Sequence, residues 1–189
     1  MTLRSVGASV FIILIAGIPP HCLAEDWKPA ADKLAMLGPE HRASGFLIRP
    51  PEGARHRITM DEKEVRDLWG LEVDAQTPRG LLIVTVAKNV KNELPPEKDI
   101  EIVLNVAKTK YKNLVSNPPE LGTINGHWFA RVRFRADAAI GLPGFDSGPV
   151  FGFLYVTDAG ETPVVLHGIG RPDGIELLEA SAQTVRIMP

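Results

Sequence analysis

Three arginines, Arg131, Arg133 and Arg135, recur at every second position of the run from His127 to Arg135. That is the period of one face of a β-strand, on which same-face side chains stand about 6 to 7 Å apart. Three guanidinium forks at that spacing can meet a row of carboxylates or phosphates on a partner. The segment from Val150 to Thr157 also alternates, and it puts Phe151, Phe153 and Tyr155 together on one face. Antiparallel pairing of the two strands sets these aromatics beside the arginines, with cation–π contacts and a mixed surface suited to protein docking. These six residues are the candidate binding residues. The plainer alternatives are a solvated sheet face, or aromatics covered by the terminal helix with the arginine stems packed along them; both stay open.

Other residue types capable of chemistry give less. Asp146-Ser147-Gly148-Pro149 is a fragment of the nucleophile loop of chymotrypsin-like proteases, but the second glycine is missing and a turn between strands accounts for the same residues. His41, His56, His127 and His167 show no pair at metal-ligand spacing and no adjacent acidic cluster. Alternation with Val165 and Ile169 makes His167 a core or boundary histidine. Gly168-Ile169-Gly170 lacks the third glycine of a dinucleotide loop and reads as a turn, and Trp69 and Trp128 read as core anchors. The sequence therefore assigns no catalytic residue, no metal and no cofactor, and it leans away from an enzyme.

The elements that must position the candidates follow from periodicity. Gly45 to Ile48 reads as a strand stopped by Pro50-Pro51 and Gly53. A short apolar stretch surrounds Trp69, and Leu81 to Ala87 is apolar at nearly every position, which marks a strand covered on both faces. Ile100, Val103, Leu104, Ala107, Tyr111 and Leu114 recur at helical spacing, with acids at the start and Lys108, Lys110 and Lys112 at the end, matching the helix dipole. Val164 to His167 is a further strand. A last helix is expected with Asp173 and Glu176 as its capping box and with Ile175, Leu178, Ala182 and Val185 as its buried stripe.

Residues 1–24 have the form of a secretory signal peptide, with Arg4, an apolar run from Ala8 to Ile18, and Ala24 before Glu25-Asp26. The run is far shorter than the roughly 18 to 20 residues that cross a bilayer, so no transmembrane anchor is expected after cleavage behind Ala24. The protein is expected to be secreted or periplasmic. Cleavage removes one base and no acid from 21 basic and 23 acidic residues, leaving a net charge near −3, and it removes the only cysteine, Cys22. A disulfide-free secreted chain of about 165 residues must be held by its core, and that length suffices for one domain. The slightly acidic balance, without a dominating basic run, argues against nucleic acid as a partner. Residues 25–43 read as a polar lead-in with a short helix, and residues 44–189 as a single domain.

Strands joined by turns, interrupted by one long helix and finished by another, make an α+β fold with a mainly antiparallel sheet. The Pro50-Pro51-Glu52-Gly53 turn, the lysine-ended helix and Thr123-Ile124-Asn125-Gly126-His127-Trp128 leading into three strands give the stretch from Ser44 to Ile187 an order that resembles the PsbP-like domains. The resemblance implies an antiparallel sheet with helices packed on both faces, an α/β/α sandwich. It also implies a role like that of the family's members, which include an extrinsic photosystem II subunit, a Ran-binding nuclear import factor and secreted bacterial proteins of unassigned role, mostly acting by docking on another protein. The expected function is accordingly a non-enzymatic binding or assembly domain that docks on a protein partner. The alternative is a small-molecule carrier or weak hydrolase with a cleft between sheet and helix. A large apolar pocket holding two or more convergent polar groups favours the alternative; a flat, exposed arginine and aromatic patch favours docking.

Overall fold

The computed structural model describes residues 24–74, 77–88, 94–157 and 163–188. The expected signal peptide lies outside them apart from Ala24, as does Asp158-Ala159-Gly160, whose composition predicts a turn after the strand from Val150 to Thr157. The fold is α+β, and its main sheet is antiparallel in every pairing except the first. Across the sheet run β1 (Glu25–Asp26), β9 (Glu120–Ile124), β10 (His127–Ala136), β12 (Val150–Thr157), β13 (Val164–Gly170), β6 (Thr77–Ala87), β5 (Glu64–Asp74) and β4 (Arg55–Met60), with β8 (Val115–Ser116) also beside β10. The hairpin between β9 and β10 turns on Asn125 and Gly126, both at positive φ (49° and 83°). That pairing belongs to the tight turn whose twist matches its strands, and Asn125 further donates its side-chain N–H to the Val185 carbonyl at 2.8 Å.

Alternation along the strands sorts the apolar side chains into two cores. On one face Trp69, Leu82, Val84, Phe129, Phe153, Tyr155 and Leu166 pack beneath helix α3 (Pro172–Ala182) and a small sheet ordered β14 (Arg186–Ile187), β3 (Phe46–Ile48), β2 (His41–Ala43). On the other, Ala130, Val132, Phe134, Leu154, Val156 and Ile169 pack beneath helix α2 (Pro96–Lys108). Trp27 and Leu37 are buried and β1 pairs with β9, so the polar lead-in is packed into the same body; its helix, α1, is only Ala31–Leu34. Among the described residues no helix is long and apolar enough to cross a membrane.

Several expectations need correction. Gly168-Ile169-Gly170 is not a turn but the end of strand β13, paired with β12 and β6. Strand β6 is buried on one face only, with Leu81, Ile83 and Thr85 half-buried on the other. Helix α2 stops at Lys108, and Tyr111 lies in β7 (Tyr111–Lys112), paired with β11 (Ala138–Ala139). Its ring is buried against Phe134 and His167, a position reached by leaving the helix. Helix α3 starts with Pro172 in its first turn, behind Arg171, and no side-chain cap forms; the capping-box acids are drawn away, Asp173 to Arg79 and Glu176 to Lys33. That helix ends at Ala182, with Val185 buried beyond it. Strand β4 has no alternating apolar signal because it is an edge strand, exposed along most of its length and held by pairing to β5.

Two sheet glycines are required by close approach. A Cβ on Gly152 would stand 2.2 Å from Phe134, and one on Gly168 2.2 Å from Phe153. Gly152→Val is expected to lower stability by about 2 to 3 kcal/mol in urea denaturation, because Phe134 must leave its site. Gly70→Ala, with nothing within 4 Å of the added methyl, is expected to change it by less than about 1 kcal/mol.

Candidate functional site

The expected register of the arginine row holds, with Arg131 opposite Tyr155, Arg133 opposite Phe153 and Arg135 opposite Phe151. The six residues do not form one exposed patch. Helix α3 lies over the row, leaving Phe153 and Tyr155 at 0% exposure and Arg131 at 6%. Glu179 of that helix accepts from Arg133 Nε at 2.9 Å and from the Tyr155 hydroxyl at 2.7 Å. Arg131 lies over the Trp27 ring at 4.0 Å and donates to Glu120. Burial works against its charge, but hydrogen bonds to Tyr155 and Glu120 outweigh it and hold its pKa above the ordinary arginine value. Burial, with Glu179 alongside, pushes the Tyr155 phenol up. Only Arg133, Arg135 and the half-buried Phe151 stay accessible, around a shallow groove of about 280 Å³ that includes Val115 and Asn117.

The glycine- and proline-rich loop also has a structural owner. Arg171 donates to the carbonyls of Pro149 at 2.7 Å and of Gly144 and Ser147 at 2.9 Å, and its guanidinium lies over the buried Phe145 ring. Asp146-Ser147-Gly148-Pro149 is thereby an arginine-bound turn.

Two of the histidines, His41 and His56, come together in space. His56 donates from Nε2 to Asp67 Oδ1 at 2.8 Å, stacks on Trp69 and meets the His41 ring edge-on at 4.5 Å between centroids. Asp67 is fully buried, and its Oδ2 and the Trp69 Nε1 have no hydrogen-bond partner among the described residues. The contacts of His56 bring it no serine, threonine or cysteine, and among the described residues no three His, Cys, Asp or Glu side chains are arranged to hold a metal ion.

A larger concave feature lies on the opposite face. Helix α2 packs on β10 and β12, and at its flank the sheet face formed by β5, β6 and β13 borders a cleft of about 520 Å³. Its walls are Ile83, Val103, Val106, Ile140, Leu142, Leu154 and Val165, and its polar groups are Glu64, Arg66, Thr85, Lys110, Tyr111 and His167. Glu64 engages Arg66, whereas Lys110 has no ionic partner among the described residues. The volume falls within the roughly 300 to 1,000 Å³ of ordinary small-molecule sites.

Tyr111 and His167 meet at 2.7 Å between the hydroxyl and Nε2. Apolar neighbours on both sides, Phe134 and Leu154 among them, desolvate the pair. Burial pushes the Tyr111 phenol up and the His167 imidazole down to about 4, so both are neutral near pH 7. Periodicity marked Tyr111 as a helix residue and His167 as a boundary histidine. The signal that joins them is tertiary.

A scan against protein-family models finds none that matches the chain, and no curated protein matches it significantly.

The depressed His167 pKa carries a stability consequence. Between about pH 6.5 and 4 the unfolded chain binds the imidazole proton and the folded protein does not, so folding stability contributed by neutral His167 is full above pH 6.5 and is lost as pH falls through that window. The loss is up to about 3 kcal/mol, at about 1.4 kcal/mol per pH unit between the two values. Chemical denaturation of wild type and His167→Gln across pH 7 to 4 is expected to show a shallower decline in the variant.

Proposed function

We propose that this protein is an extracytoplasmic, non-enzymatic domain of PsbP-like architecture that binds a small apolar molecule in the cleft between helix α2 and the sheet. The observation that carries the reading is the cleft itself, apolar along its walls with the hydrogen-bonded Tyr111 and His167 in its lining, while most of the arginine and aromatic row lies under α3. PsbP-like architecture is supported by helices on both faces of the antiparallel sheet and by the turns at Pro50-Pro51-Glu52-Gly53 and Asn125-Gly126. The extracytoplasmic setting rests on the signal-peptide pattern of residues 1–24.

A binding role is favoured over chemistry because proton transfer works best when a group's pKa lies near the operating pH. Burial moves Tyr111 and His167 away from that point in opposite directions. The neutral fluorophore N-phenylnaphthylamine tests the reading. Saturable fluorescence enhancement is expected with wild type, and a loss of tenfold or more in affinity with Val103→Trp, which fills the cleft. Absence of binding, or binding indifferent to Val103→Trp, sinks it.

A second reading keeps protein docking at the uncovered end of the arginine row, where Arg135 has no ionic partner among the described residues and stands beside Phe151 and the exposed Val115. Such a groove suits an acidic, aromatic-containing segment of a protein partner. Fluorescence anisotropy with an acidic model peptide is then expected to show salt-sensitive binding that Arg135→Glu abolishes.

A further inference from the structure

We infer that the ligand of the cleft is an uncharged apolar molecule carrying one exposed oxygen acceptor, such as a ketone, ester or lactone carbonyl, and that this oxygen takes the hydrogen-bond donor which the Tyr111–His167 pair leaves over. The inference rests on the small-molecule reading above and narrows it.

The argument is a count of protons. A neutral phenol brings one O–H and a neutral imidazole one N–H, two donors in all. The 2.7 Å contact uses one of them. When the hydroxyl donates to Nε2, the proton on Nδ1 is left; when Nε2 donates to the hydroxyl, the O–H is left. Either tautomer therefore presents one donor, and neither side chain has another hydrogen-bond partner among the described residues. Both residues line the cleft, whose other walls near them are Ile83, Leu154 and Val165. A purely apolar occupant would strip water from that donor and replace it with nothing, so a site of this kind discriminates against hydrocarbons.

The same surroundings select against charge. The desolvation that pushes the His167 imidazole down to about 4 also disfavours a carboxylate at the same depth. The cations of the cleft do not offset this: Arg66 is engaged by Glu64, and Lys110 is an exposed side chain. Val106 and Ile140, both lining the cleft and more than half exposed, make its lip apolar, as entry of an uncharged molecule requires.

Three probes sharing one ring system test the inference by titration calorimetry: acetylnaphthalene, isopropylnaphthalene and naphthoate. With wild type the ketone is expected to bind about fivefold or more tighter than the hydrocarbon, the ratio set by one net hydrogen bond, and naphthoate weakest. In the double variant Tyr111→Phe/His167→Leu the ketone falls to the level of the hydrocarbon, whose retained affinity shows that the cleft is intact. Tyr111→Phe alone keeps the preference, because the imidazole still has an N–H. Equal binding of ketone and hydrocarbon to wild type, naphthoate as the tightest ligand, or a ketone preference that survives the double variant each overturns the inference while leaving a small-molecule cleft standing. Should the double variant fail to fold, the wild-type ranking and Tyr111→Phe decide. If none of the three probes nor N-phenylnaphthylamine binds, the small-molecule reading itself is lost.

Discussion

A sheet eight strands wide cannot be covered on one face by a single helix of thirteen residues. At about 4.8 Å per strand the path spans about 34 Å, whereas a helix with its side chains is about 10 Å across. Helix α2 packs chiefly on β10 and β12, and among the described residues no other helix lies on that face of β13, β6 and β5. The other face meets the same constraint differently, with α3 over β13, β6 and β12 and the β2, β3 and β14 sheet extending the cover toward Trp69. The cleft is thus a consequence of width, and Ile83, Leu154 and Val165 in its lining are positions of strands whose cover stops short.

The two faces also treat polar groups differently. Under α3 the charged groups are paired: Arg131 is sandwiched between Trp27 and Tyr155 and neutralised by Glu120 and Glu179, and Arg133 shares Glu179. Breaking such a partly buried network leaves an uncompensated charge, so the row works as a tie between sheet and helix. On the cleft face a buried phenol, Tyr111, and a half-buried imidazole, His167, satisfy one another only in part.

The His56, Asp67 and Trp69 cluster shows why side-chain type alone is a poor guide to chemistry. A buried carboxylate on a histidine, with a second histidine 4.5 Å away between centroids, has two parts of a nucleophile-activating arrangement, but the hydrogen-bond and ring contacts of His56 among the described residues are with Asp67, His41 and Trp69. Packed under the small sheet, it fastens edge strand β4 to the core through Trp69.

What the sequence determined by itself is what covalent geometry makes local. The alternation of β10 and β12, the doubly apolar β6, the amphipathic body of α2 and the Asn125-Gly126 turn are all written in spacings of two to four residues, and from them the α+β class and the arginine–aromatic register were legible. The end of α2 at Lys108, the drawing away of Asp173 and Glu176, and strand β4 were not, because each depends on a partner distant in the chain. The candidate site was legible only as an unplaced cleft between sheet and helix. Tyr111 and His167 are 56 residues apart, and nothing in the neighbourhood of either names the other. Which arginines are covered, and where the cover ends, is decided by the widths of layers and the length of one helix, quantities that exist only once the chain has folded.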